Sequence, residues 1–199
     1  MSTTAEPGLR ERKKAATRQS LHDAAVRLAT EHGLDRITVE AIADEAGVSR
    51  RTFSNYFGSK EEALMYGDFR RIQGLVDAVR ARPAGEAPWA ALTAAVASFN
   101  NELGELDPRR VAQGRLLRTH PTLIAAQVQT FAAVELELAA EVATRLAEAD
   151  PRGVRARMTA ATFLAALRVS FNLWLDAPAG TMLWEIVEEA LANGGRGFA

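Results

Sequence analysis

The chain has 199 residues, 48% hydrophobic and 25% charged, with 24 basic against 25 acidic side chains. That length fits one large or two small domains with a sizeable buried core, which excludes wholesale disorder. No uninterrupted apolar run reaches the ~18 residues of a membrane helix, Met1 to Lys14 lacks a signal-peptide pattern, and the absence of cysteine excludes disulfide scaffolds, thiol catalysis and cysteine zinc sites. A soluble, cytoplasmic protein with no membrane partner is the expectation.

The near-neutral total hides an asymmetry. Residues 1–60 carry 10 basic and 8 acidic side chains, and the remaining 139 carry 14 and 17. All three lysines (Lys13, Lys14 and Lys60) lie in the first part, and Arg10, Arg12, Lys13, Lys14 and Arg18 face only Glu11 in that stretch. A basic arm on a near-neutral body fits an anionic partner at one end; composition alone leaves a solvated tail equally open.

Helical spacing recurs along the chain, and strand alternation is scarce. Leu21, Ala24, Ala25 and Leu28 form one apolar stripe; Leu64, Ile72, Leu75, Val76 and Val79 form another. Glycine and proline breakers divide the sequence into about nine helices, over 10–32, 39–46, 50–56, 60–81, 88–103, 108–118, 122–149, 152–175 and 180–193. Thr38, Ser49 and Ser59 stand where N-caps belong, and Ser59 with Glu62 has capping-box spacing.

Residues 38–57 read TVEAIADEAGVSRRTFSNYF. A two-turn helix, a corner at Gly47 and a second short helix from Ser49 follow the logic of a helix-turn-helix, with Val39, Ile42, Val48 and Phe53 fixing the interhelical angle. Arg50, Arg51, Thr52, Ser54, Asn55 and Tyr56 then form a polar outer face. These residues alone also allow an ordinary helical hairpin with a solvated face.

The ordered set from Thr17 to Leu64 resembles the TetR family of bacterial transcriptional regulators. It comprises Glu31-His32-Gly33-Leu34, Thr38 to Ala43, Ala46 to Ser49, Thr52-Phe53, Tyr56-Phe57 and Ser59 to Leu64. The resemblance implies an all-α protein. Residues 1–58 would form a three-helix DNA-binding domain with its basic arm, and residues 59–199 a helical ligand-binding and dimerisation domain that pairs through the last two helices. It places Arg50, Arg51 and Ser54 at base edges, and Thr38, Thr52, Asn55, Tyr56 and Lys60 at phosphates, roles that suit their chemistry. Ser54 departs from the family's usual tyrosine and reaches less far. The implied partners are a palindromic double-stranded operator, a second copy of the chain and a largely apolar small-molecule inducer. The helix over 60–81 would carry the signal between the two domains.

In the C-terminal part the segment from Met158 to Leu175 is apolar nearly all round, so burial on several sides is expected. Leu183, Ile186, Val187, Ala190 and Leu191 make one broad stripe on the last helix, available to a four-helix dimer bundle or to an internal core. Candidate ligand contacts are Phe99, Leu117, Phe131, Phe163 and Trp174, for each of which core packing is the more common use of such a side chain. His120 is a candidate cap or pocket residue. Arg168 and Asn172 stand one turn apart among apolar neighbours. A buried Arg168 requires an anion, either Glu135 or Glu137 from a packed helix or a group on the ligand.

An enzyme is the rival class and finds no support. His22, His32 and His120 are scattered without metal-ligand spacing, no phosphate loop or nucleophile elbow occurs, and neither metal nor cofactor is expected. A constitutive or architectural DNA binder without a ligand is the nearer alternative.

Overall fold

The computed structural model describes residues 8–99, 108–178 and 180–197. Among these residues the regular structure is all helical: α1 (Leu9–His32), α2 (Val39–Glu45), α3 (Arg50–Ser54), α4 (Lys60–Arg80), α5 (Pro88–Ala97), α6 (Pro108–Thr119), α7 (Pro121–Ala143), α8 (Val154–Leu175) and α9 (Leu183–Gly195), with a 3-10 turn at Leu34–Arg36.

Local chemistry sets the starts. The Thr38, Ser49 and Ser59 hydroxyls accept from the amides of Ala41, Thr52 and Glu62, each at 3.1 Å, satisfying amides that the first turn leaves without helical partners. Glu62 reaches back to the amide of Gly58 at 2.6 Å, one residue ahead of the cap. Gly47 adopts φ 68° at the α2–α3 corner, a region that side chains with a Cβ disfavour.

Several ends differ from the sequence expectation: α3 stops at Ser54 rather than 56, and α5 at Ala97 rather than 103, where the Ser98 hydroxyl donates back to the Ala95 carbonyl at 2.6 Å. α7 stops at Ala143 rather than 149, and just past its end the Arg145 guanidinium donates to the carbonyl of Val79 in the last turn of α4 at 2.9 Å and to that of Arg82, beyond α4, at 3.3 Å. α8 starts at Val154, where the Asp150 carboxylate accepts from the amides of Val154 and Ala156 at 3.0 and 2.9 Å. α9 starts at Leu183, three residues late, because the preceding connection is tied to α8 by the Trp174 indole donating to the Thr181 carbonyl at 3.1 Å.

Two apolar cores result. The first gathers Leu21, Ala25, Ile42, Phe53, Phe57 and Leu64 from α1 to α4, and also takes Leu123 from α7. At the α1–α4 crossing, the buried His22 ring hydrogen-bonds the Ala63 carbonyl at 2.9 Å. The second core joins Val76, Leu92, Val134, Leu138, Phe163, Leu183 and Leu191 from α4, α5 and α7 to α9. Trp89 stands edge-on to Phe163 at 6.1 Å within it. α4 contributes to both cores.

Burial of α8 is one-sided. Phe163, Ser170 and Trp174 are buried, whereas Val154, Met158, Val169 and Leu173 form an exposed stripe at helical spacing. The stripe expected on α9 is largely consumed within the chain, with Leu183, Val187 and Leu191 in the second core. By length and composition α7 and α8 are apolar enough to cross a membrane; in the fold both pack into the helical core.

Candidate DNA interface and ligand cavity

α3 projects from the first core by burying Phe53, with Phe57 just beyond it, and leaving Arg50, Arg51, Ser54 and Asn55 exposed. Thr52 and Tyr56 are half-buried at its margin. Arg50 reaches Glu40 of α2 at 3.0 Å, with both side chains exposed. Such a pair contributes about 0–1 kcal/mol, so the guanidinium is exchanged to another partner at little cost. The Ser49 and Thr52 hydroxyls are 2.9 Å apart, which leaves the Thr52 hydroxyl with further hydrogen-bonding capacity.

The basic arm is the first turns of α1. Arg10, Lys13, Lys14 and Thr17 line one wall of an open groove, and Thr52, Asn55 and Tyr56 line the other. Two segments far apart in sequence thus place cations, hydroxyls and an amide along one trough, an arrangement suited to a phosphate backbone. Thr17 was not among the sequence candidates, because only its neighbours across the groove mark it out.

Lys60 has a structural duty as well. Its ammonium donates to the carbonyls of Leu34 at 2.8 Å and Ile37 at 3.0 Å, tying the start of α4 to the 3-10 turn. Two of its three N–H groups are thereby used.

A cavity of about 510 Å³ lies between α4 and the C-terminal helices, a size typical of small-molecule sites. α4 supplies Met65, Asp68, Phe69, Arg71, Ile72 and Leu75; α7 supplies Ile124, Gln127, Val128, Thr130 and Phe131; α8 supplies Leu164, Leu167, Arg168, Phe171 and Asn172. Val96 and Phe99, Gly114 and Arg118, and Leu183 and Val187 complete the lining. Gly114 lets α6 cross close to α8: a Cβ there would stand 2.9 Å from the Phe171 ring, which would have to shift.

Most polar groups of the lining are already matched. Asp68 pairs with Arg71 and accepts from Gln113 at 3.3 Å. Arg118 forks onto Asp176 at 2.6 and 2.8 Å, and that guanidinium holds the Asp176 carboxyl below the usual carboxylate range. Arg168 is exposed and has no ion-pair or hydrogen-bond partner among the described residues. The expected buried pair is therefore corrected: Glu135 bonds Arg157 at 3.3 Å, and Glu137 accepts from Gln73 at 3.4 Å.

Of the ligand candidates, Phe99, Phe131, Arg168 and Asn172 line the cavity. Phe163 is fully buried in the second core, and Trp174 packs on Phe171 with ring centroids 5.6 Å apart. The Leu117 side chain lies outside the described residues. His120 is away from the cavity, at the head of α7: its ring meets Asp35 at 3.0 Å and Thr122 at 2.8 Å. Hydrogen bonding and charge from His120 hold the Asp35 carboxyl below its ordinary range. The α4 contributors escaped the candidate set, although the stripe through Ile72 and Leu75 was visible; nothing local says that a stripe borders a void rather than a neighbour.

All-helical structure among the described residues, an exposed arginine-bearing helix after a tight corner, and a cavity walled by the connecting helix fit the helix-turn-helix class of regulators. Residues 21–65 match the family model for bacterial regulatory proteins of the tetR family, and residues 86–199 match the MftR C-terminal domain. The chain is 33% identical to the HTH-type transcriptional regulator TcmR of Streptomyces glaucescens over 179 residues, covering 87% of this chain and 79% of that one. Among solved structures it is similar to Thermus thermophilus FadR, a TetR-family transcriptional repressor in complex with lauroyl-CoA. There the TM-score is 0.60 and the identity 25%, over 92% of this chain and 95% of that chain. It also shares the fold of SmeT bound to triclosan, at TM-score 0.63 and 22% identity over 92% and 91% of the two chains; SmeT is the repressor of a Stenotrophomonas maltophilia multidrug efflux pump. The chain belongs to the TetR family of bacterial transcriptional regulators.

Proposed function

We propose that the protein is a repressor that binds a palindromic operator as a homodimer in the cytoplasm and leaves it when a small molecule occupies the cavity. The observation that carries this reading is the double membership of α4: Ala63 and Leu64 belong to the core beneath the reading head, while Met65, Ile72 and Leu75 border the cavity. A ligand that favours one tilt of α4 changes the separation of the two α3 helices in a dimer, and only a ligand with different affinities for the two arrangements can do so. In this division residues 1–58 read DNA, and residues 59–199 bind ligand and dimerise.

The dimer reading rests on the exposed α8 stripe, an unpartnered apolar face of the kind two-fold pairing covers. Operator half-sites are then expected about one helical turn apart, ~34–36 Å. Arg50, Arg51 and, with shorter reach, Ser54 read base edges. Thr38, Thr52, Asn55, Tyr56 and Lys60 hold the backbone beside the α1 groove. A constitutive DNA binder is the second reading, and the volume and apolar lining of the cavity favour the first.

Arg50→Ala and Arg51→Ala are each expected to cost about 1–3 kcal/mol of operator affinity, concentrated at particular base pairs. Asn55→Ala, removing a phosphate contact, is expected to weaken all sequences alike. Fluorescence anisotropy against single-base operator variants checks this division. Base preference that shifts in Asn55→Ala and persists in both arginine variants would reverse the assigned roles.

A further inference from the structure

We infer that the cavity takes an amphipathic monoanion whose charged group is held at the mouth by Arg168. This inference deepens the ligand-responsive reading and rests on it. The charge balance of the lining is the starting point. Arg71 is answered by Asp68, and Arg118 by Asp176. Arg168 remains as a lining cation with no partner among the described residues.

Its position gives the orientation of the ligand. Phe69, Ile124, Val128 and Arg168 line the cavity and are exposed, so they mark its mouth; Leu75, Val96, Leu164, Leu183 and Val187 are buried and form its floor. A molecule lying along this axis buries an apolar body among aliphatic and aromatic side chains and leaves its head beside the guanidinium. Asn172, one turn further along α8 and also in the lining, adds an amide that can donate to the same head. A guanidinium meets a carboxylate through two parallel N–H donors, and this charge-assisted bond strengthens as a bound body excludes water. A neutral ligand of the same shape leaves that donor set to solvent; a cationic one is repelled.

Isothermal titration of the full chain with dodecanoate, dodecanol and dodecyltrimethylammonium, all kept below their aggregation thresholds, tests the assignment. Dodecanoate is expected to bind at least about tenfold tighter than dodecanol, the ratio a charge-assisted hydrogen bond supplies, and the cation weakest of the three. Arg168→Gln should erase the acid-over-alcohol preference while leaving dodecanol affinity within about twofold, and Arg168→Lys should restore part of it. The melting temperature of each variant, unchanged, establishes that the fold is kept. Equal binding of acid and alcohol, binding of neither, or a preference that survives in Arg168→Gln would overturn the assignment. So would an Arg168→Gln protein that dissociates into monomers by light scattering, which would move Arg168 to the subunit interface. Operator binding by the same preparation without any probe reports on the regulator reading separately, so the two can fail independently.

Discussion

Leu123→Ala is expected to lower stability by about 2–5 kcal/mol, the usual cost of emptying a fully buried leucine site. Leu123 is 0% exposed, yet it comes from α7 and is buried with residues of α1 to α4. Leu116 and Ala126 pack against the same core, and His120 at the head of α7 meets Asp35 of the 3-10 turn at 3.0 Å. The next turns of α7, through Ile124, Gln127 and Phe131, wall the cavity. A single helix therefore touches both the reading head and the ligand site, in parallel with α4. Losing Leu123 should both destabilise the N-terminal core and slacken that link. Urea denaturation measures the first effect. Operator affinity, compared with and without a cavity ligand in conditions where the variant stays folded, measures the second, which should shrink relative to the unmodified chain. A loss below about 1 kcal/mol would mean that the site collapses around the gap or that α7 is not anchored there.

The second large effect concerns α8. Val169 and Leu173 are 43% and 57% exposed at i and i+4, in line with Met158 and Val154. If a second copy covers this stripe, Val169→Glu with Leu173→Glu places two carboxylates of each subunit in an apolar interface, where unpaired charge is strongly disfavoured. The expected product is a folded monomer, because neither residue belongs to the buried core. Sedimentation or light scattering should show half the mass of the unmodified protein. Operator binding should fall by orders of magnitude, since two half-sites no longer engage together. A dimer of unchanged mass would move the interface elsewhere.

Legibility in the sequence followed the range of the interaction. The caps at Thr38, Ser49 and Ser59 were visible because donor and acceptor lie three residues apart. The reading helix was visible because its turn, its inward phenylalanines and its outward arginines fall within twenty residues. The apolar neighbours of Arg168 point to burial, whereas helical phase sets it at the rim beside the exposed Val169. The all-round apolarity of α8 came from two different sides, one in the core and one unpartnered. The His120–Asp35 and Lys60–Ile37 bonds join positions 85 and 23 residues apart, and no local pattern announces them. The cavity is the extreme case: it exists because six packed helices leave space, which is a property of none of them singly.

The most direct test of the central claim is selection of DNA by the full chain from a random duplex library, followed by anisotropy titration of the winner across a salt series. A palindrome with half-sites about one helical turn apart is the expected winner. Its affinity should fall roughly 10³–10⁵-fold between about 50 and 200 mM salt if some six to ten phosphates are held. A library that yields no enriched sequence, or a selected site whose affinity ignores salt, would contradict it.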